Sequence, residues 1–197
     1  MPLQLPLPSE VLARVLGVLR DGLNTVPRSS QPPGWDKASQ ARRLSRTASL
    51  KAAAVSGTLA LPPGPAGLLT ILPDLALVWK IQGQMVADIA AVYGKAVLLT
   101  REGMIHCLFK HAAAQAVRGM VVRAGQGILV RRASAELLNV VIGRVGVSLT
   151  ERIASKALSR WIPVLGAVGV GAYAFYDTRQ IAETAVDMFE SEVAIED

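Results

Sequence analysis

The stretch from Leu72 to Gly94, LPDLALVWKIQGQMVADIAAVYG, constrains the fold more than any other part of the chain. Pro73 and Asp74 suit the start of a helix, because proline presets φ and an aspartate can accept from free backbone N–H groups. After them the apolar period is helical: Val78, Ile81, Met85, Ile89 and Val92 recur at spacings of three and four, and Trp79, Val86 and Tyr93 lie on an adjacent strip. Ala76, Gly83, Ala87 and Ala90 make a third strip of small residues that admits a close neighbour. The polar side of this helix is read as one line, Lys80, Gln84 and Asp88, and Gly94 ends it. A helix apolar around most of its circumference has to be buried in protein, in lipid, or partly in both.

A second apolar run, Trp161 to Tyr176, carries no charge and three glycines, Gly166, Gly169 and Gly171. Glycine in a helix interior costs about 1 kcal/mol against alanine, so these residues have to return their value through close packing. Ala167 and Gly171 form a small-xxx-small pair suited to that. Beyond Asp177, Thr178 and Arg179 the pattern continues as an amphipathic helix through residue 190, with Ile181, Ala185, Met188 and Phe189 on one side. The expected fold is therefore all-α: a single bundle in which two apolar, glycine- and alanine-rich elements, 48–93 and 161–189, pack on each other.

Around these elements the chain reads as follows. Residues 1–8 form a proline-rich tail, and Ser9 caps a short amphipathic helix to about Leu23. Residues 24–46 mix turn-formers with Arg42, Arg43 and Arg46 and read as a basic linker, in which Trp35 either anchors at an interface or pins the loop. No charge occurs from Ala52 to Pro73, a length that would span a bilayer, but Pro62, Pro63, Gly64 and Pro65 interrupt it. Two short segments, 48–61 and 66–72, joined by a turn are expected, with a re-entrant hairpin, an interfacial segment and a soluble core hairpin left open. Thr100 caps a helix to about Val117, followed by basic helices over 118–131 and 134–160. In the latter, Arg144, Arg152, Lys156 and Arg160 share one line opposite Leu137, Val141, Val145, Leu149 and Ile153. The acidic end, 191–197, reads as a frayed tail. The domain plan is thus 1–46 as an N-terminal appendage, 47–190 as the helical domain, and 191–197 as the tail.

Charge narrows the class of partner. Hydrophobic residues make up 51% of the chain and charged ones 18%, below the usual quarter. Residues 95–160 carry +8 and residues 161–197 carry −6. A basic middle beside apolar segments is attracted to anionic lipid at roughly 1 kcal/mol per Lys or Arg. Nucleic acid is disfavoured, since the basic residues are not interleaved with aromatics and no recognition motif occurs. The single Cys107 excludes an internal disulfide, and MPLQLPLPSE lacks the features of a signal peptide. The cytoplasm, or the cytoplasmic face of a membrane, is the expected compartment.

Two stretches together carry a resemblance. PGPAGLLTILPDLALVWKIQGQMVADIAAVYG (63–94) joins a proline–glycine turn to P-D-x-A and then to a methionine before I-A-x-x-Y-G. SRWIPVLGAVGVGAYAFYDTRQIAETAVDMF (159–189) runs a W-x-P-x-x-G-A helix into a polar triplet. This pattern, over about residues 45–190, resembles the EcsC family of bacterial proteins. More faintly, it resembles the helical domain appended to some bacterial GTPases, although no phosphate-binding loop is present. The resemblance implies an all-helical fold and association with the membrane or its machinery. It transfers no catalytic activity, only a residue pattern: Asp74, Gln84, Met85, Tyr93 and Gly94, then Trp161, Pro163, Gly166, Asp177 and Arg179.

Candidate chemistry is sparse. His106, Cys107 and His111 are the sole metal-like cluster, and they lack a fourth ligand; a packed thiol and two surface imidazoles are the expected outcome. Asp74 and Asp88 lie roughly 21 Å apart by helical rise, too far for joint acid–base work. Asp74 reads as a cap. Asp88, inside an apolar helix, needs a partner, with Arg179 and Arg144 as candidates. Lys80, Gln84, Tyr93, Tyr173, Asp177 and Arg179 complete the set of buried polar or ligand contacts, and Arg144, Arg152, Lys156 and Arg160 form the membrane-facing basic line. No catalytic set, metal or cofactor is expected. The function expected is that of a non-enzymatic helical protein on the cytoplasmic side of the inner membrane, binding anionic lipid or a membrane protein. The alternative is a soluble bundle around an apolar, acyl-chain-like ligand.

Overall fold

The computed structural model describes residues 25–60, 71–111, 120–124, 127–131 and 163–196, together with Ala13, Leu16, Gly17, Arg20, Asn139, Val140, Gly143, Arg144 and Val147. Among the described residues four continuous helices run in the order α1 (Lys37–Leu59), α2 (Ile71–Val92), α3 (Arg101–Phe109) and α4 (Pro163–Glu190). A 3-10 turn, Ala96–Leu98, joins α2 to α3. Three short strands complete the described fold: β1 (Val121–Ala124), β2 (Gly127–Arg131) and β3 (Glu192–Glu196). The architecture is mostly helical, a bundle in which the apolar elements pack together, as the composition implies.

Local chemistry accounts for the helix ends. Asp36 accepts from the backbone N–H of Ser39 at 3.1 Å and opens α1. Thr100 does the same for α3 through Gly103 N at 3.2 Å, as its place before Arg101 and Glu102 predicts. Gly94, at φ 73°, closes α2: its N–H reaches Ala91 O and that of Lys95 reaches Ala90 O, both at 2.8 Å. That pair of bonds needs a left-handed residue, which glycine supplies without strain.

The core lies between α2, α3 and α4. Val86, Ile89 and Val92 of α2 are buried with Ile105, Cys107 and Phe109 of α3 and with Ile181, Ala185, Met188 and Phe189 of α4. Trp79 meets Phe109 edge-on, with ring centroids 5.6 Å apart and planes at 82°. The closest helix approach is α1 against α4. A Cβ on Gly171 would lie 3.0 Å from Ala53 O, and one on Gly57 would lie 3.6 Å from Ala167 O. The small pair Ala167/Gly171 therefore packs on α1, through Ala53 and Gly57. The small strip of α2 makes only ordinary contact: a Cβ on Gly83 would meet Pro27 at 3.8 Å and Met104 at 4.0 Å.

Three expectations are corrected. The stretch read as a linker to residue 46 already contains the first ten residues of α1, because Asp36 caps the helix and Ala41 and Ala48 are buried on its inner face. The boundary placed at 46/47 thus falls inside a helix. Residues 121–124 and 127–131, read as helical, are strands that pair antiparallel, Val121 with Val130 and Ala124 with Gly127. Valines either side of a Gly-Gln-Gly segment favour strand and turn over helix. The acidic end, read as frayed, pairs in parallel with β2, Ile128 opposite Val193 and Arg131 opposite Glu196. Its apolar residues explain this: Val193 is buried and Ile195 is half-buried on a sheet whose Ile128 and Val130 also face the core. The sheet order is β1-β2-β3. The segments expected at 1–12, 61–70, 112–117, 132–138 and 151–160 lie outside the described residues.

Among the described residues one helix, Pro73–Val92 of α2, is long and apolar enough to cross a membrane, and 56% of its most apolar window is buried against the rest of the protein. The inner face of this helix is occupied by protein.

Candidate functional site: a groove between two helices

α1 and α2 form an antiparallel hairpin held at both ends. Near its turn Ser56 donates to Asp74 Oδ1 at 2.7 Å, and at the open end Gly34 N donates to Val92 O at 3.0 Å. Asp74, expected as a cap, sits inside the first turn of α2 and accepts this bond across the hairpin. The segment before α1 lies along α2 as a strap. Ser29 donates to Asp88 Oδ1 at 2.6 Å, and Gln84 donates to Arg28 O at 3.1 Å and to Asp88 Oδ1 at 2.9 Å. Asp88 therefore finds Ser29 and Gln84. The candidate partners are placed otherwise: Arg144 is exposed, and Arg179 pairs with Glu183 on its own helix at 3.3 Å.

Strap, α1 and α2 enclose an open groove of about 770 Å³. The polar line Lys80, Gln84 and Asp88 forms one side, and Gln40, Arg43, Thr47 and Lys51 of α1 form the other. Leu44, Ala48, Ile81 and Met85 make an apolar floor, and Gln31 and Pro32 of the strap close one end. Arg43, Lys51 and Lys80 are exposed. Among the described residues no ion pair involves them. The groove thus combines three exposed cations and one carboxylate, Asp88, with an apolar base.

The remaining candidates lie elsewhere. Tyr93 is buried and donates to Glu190 Oε1 at 2.9 Å, with Lys37 Nζ 5.9 Å from its ring centroid. Burial and the neighbouring carboxylate push its phenol up to about 12. Asp177 accepts from Gln82 Nε2 at 3.1 Å, and the same amide reaches Thr178 Oγ1 at 3.1 Å. Tyr173 is exposed on α4, and so is Tyr176, whose hydroxyl accepts from Gln180 Nε2 at 2.7 Å. These contacts tie α2 and α4 together and do not converge on the groove. Arg152, Lys156 and Arg160 lie outside the described residues.

The histidine–cysteine cluster is dispersed. Cys107 is fully buried with Sγ 3.7 Å from Met188 Sδ. His111 Nε2 meets Thr184 Oγ1 at 2.9 Å, and because that hydroxyl donates to Gln180 O, the imidazole donates here. No group of three metal-ligating side chains occurs among the described residues.

Burial pushes the Cys107 thiol from 9.0 up to about 12. For both Cys107 and Tyr93 the folded state holds its proton more tightly than the unfolded chain. Their contribution is therefore fully present below the unfolded values of 9.0 and 10.0 and is lost as pH rises towards 12. The melting temperature is expected to fall above pH 9, with a shallower fall in Cys107→Ala. A disulfide reagent at pH 8 should modify the native thiol only on unfolding, because thiolate is the reactive form. Rapid stoichiometric modification of the native protein would contradict this placement.

Sequence reasoning missed Gln82, an amide 1% exposed, and the α1 side of the groove. The signals were present. Gln82 stands between apolar neighbours, where a polar group needs a partner, and Arg43, Thr47 and Lys51 recur at i, i+4 and i+8. Comparison of the chain with protein-family models, with curated proteins and with solved structures finds no match.

Proposed function

We propose that this protein is a non-enzymatic, peripheral membrane protein that works at the cytoplasmic face of a bacterial membrane and takes an anionic amphiphile, a lipid of that surface, in the α1/α2 groove. The observation that carries the reading is the groove itself: Arg43, Lys51 and Lys80, in no ion pair among the described residues, stand over a floor of Leu44, Ala48, Ile81 and Met85. An ionised headgroup and the first carbons of an acyl chain present the complementary chemistry, and each Lys or Arg near such a surface contributes about 1 kcal/mol. The net charge of +6 supports the same reading, and membership of the EcsC family, on the pattern described above, is part of the proposal.

Flotation with vesicles tests it. The wild type is expected to float with vesicles containing phosphatidylglycerol and to stay in solution with neutral phosphatidylcholine. The triple variant Arg43→Gln/Lys51→Gln/Lys80→Gln should lose at least about 2 kcal/mol of binding, roughly thirtyfold. Binding that persists at high salt would show that the floor takes part, since exposed charges alone are screened. Equal flotation of wild type and triple variant would remove the groove from the function.

A further inference from the structure

The groove has two unlike ends. The Ser56–Asp74 bond sets the register of α1 against α2. Lys51 precedes Ser56, and Lys80 follows Asp74, by nearly the same run of helix, about 8 Å at 1.5 Å per residue, so both ammonium groups belong to one level of the groove. Arg43 and Asp88 share a second level, about 12 Å further along by the same rise. At the first level no carboxylate among the described residues lines the groove. At the second, Asp88 stands opposite Arg43 and is held in place by Ser29 and Gln84.

Two lysines at one level form a site for a single anion, and compact ammonium groups suit a phosphate as point charges. A second anion further along the groove would meet Arg43 and Asp88 together, and the repulsion from the carboxylate offsets the attraction of the guanidinium there. Resting on the reading above, we infer that the groove selects a phospholipid with one phosphate, seated between Lys51 and Lys80, and that Asp88 is the residue that rejects a headgroup carrying two. The apolar stretch between the levels, with Ile81 and Met85 on the α2 side, receives the chain.

Vesicles with phosphatidylglycerol or with cardiolipin, matched in total phosphate, separate the two claims. Lys51→Gln and Lys80→Gln are each expected to weaken binding to phosphatidylglycerol about fivefold, at 1 kcal/mol per charge, with Arg43→Gln changing it less than about twofold. Lys51→Arg and Lys80→Arg should restore it. The wild type should prefer phosphatidylglycerol, and Asp88→Asn, which keeps an acceptor for Ser29 and Gln84, should abolish that preference while the melting temperature holds. Glycerol 3-phosphate in solution should compete weakly; full displacement at micromolar concentration would make the occupant a free phosphate ester and overturn the lipid assignment. Equal losses from all three cation variants, or an unchanged preference in Asp88→Asn, would overturn the inference and leave the membrane reading standing. No flotation of the wild type with either lipid would overturn both.

Discussion

Replacing Phe189 with alanine is expected to lower the free energy of unfolding by about 3–5 kcal/mol, the range for emptying a large aromatic from a packed core. Phe189 is 0% exposed, near the C-terminal end of α4, beside Met188, which reaches both Gly103 and Cys107 of α3. The ring belongs to the buried cluster that α2, α3 and α4 share, with Ile89, Ile105 and Ile181 equally buried, so its removal empties space inside that core. A domain of this size has about 5–15 kcal/mol in all, so the loss is a third or more of the total. Urea unfolding should show a lower midpoint at unchanged slope. Tyr176→Ala, on the exposed face of the same helix, is the control and should stay within about 0.5 kcal/mol. Because β3 begins at Glu192, Phe189→Ala should also raise hydrogen exchange at Val193, whereas Tyr176→Ala should not. A loss below about 1 kcal/mol would mean that the C-terminal half of α4 is not part of the core.

The position of Phe189 was legible in the sequence, and the contrast with what was not is instructive. Ile181, Ala185, Met188 and Phe189 recur at helical spacing, and so do Val78, Ile81, Met85, Ile89 and Val92; eight of these nine are buried, and Ile81 is half-buried in the lining of the groove. Periodicity reports which face is apolar, and burial follows from that with no long-range information. The sheet depended on partners remote in sequence. Val193 and Ile195 look like part of an acidic tail until β2 supplies an edge for them, and β2 reads as one more basic helical stretch until the glycines around Gln126 are weighed. The groove fell between these cases. Its α2 side, Lys80, Gln84 and Asp88, was evident as the polar line of an apolar helix. Its α1 side was hidden because Pro32, Pro33 and Gly34 made the whole segment resemble a linker, although Asp36 begins a helix two residues later. The partner of Asp88 was sought among arginines, whereas hydroxyl and amide donors satisfy the carboxylate on the rim of an open groove, where solvent relieves its desolvation.

Gly171→Leu is expected to cost about 3 kcal/mol, and its neighbour Gly169→Ala to add up to about 1 kcal/mol, although both remove a glycine from the same apolar helix. On propensity alone both changes should stabilise, so the opposite signs isolate packing. A Cβ at Gly171 would sit 3.0 Å from Ala53 O and 3.7 Å from Gly57 Cα, and these are backbone atoms that cannot rotate away. Relief requires α4 to move off α1, which opens the small buried cluster that Ala174 of α4 forms with Ala52 of α1 and Val78 of α2. At Gly169 nothing among the described residues lies within 4 Å, so alanine gains the helical entropy term with no steric penalty. The two changes also differ in reach. α1 packs on α4 with its Ala53/Gly57 face and lines the groove with Arg43, Thr47 and Lys51, so moving α1 disturbs the level shared by Lys51 and Lys80. Gly171→Leu should therefore weaken vesicle binding even under conditions where it stays folded, and Gly169→Ala should leave it unchanged. Thermal melts beside flotation at one temperature decide the matter: a Gly171→Leu protein as stable as the wild type would mean that α1 and α4 do not meet through their small residues.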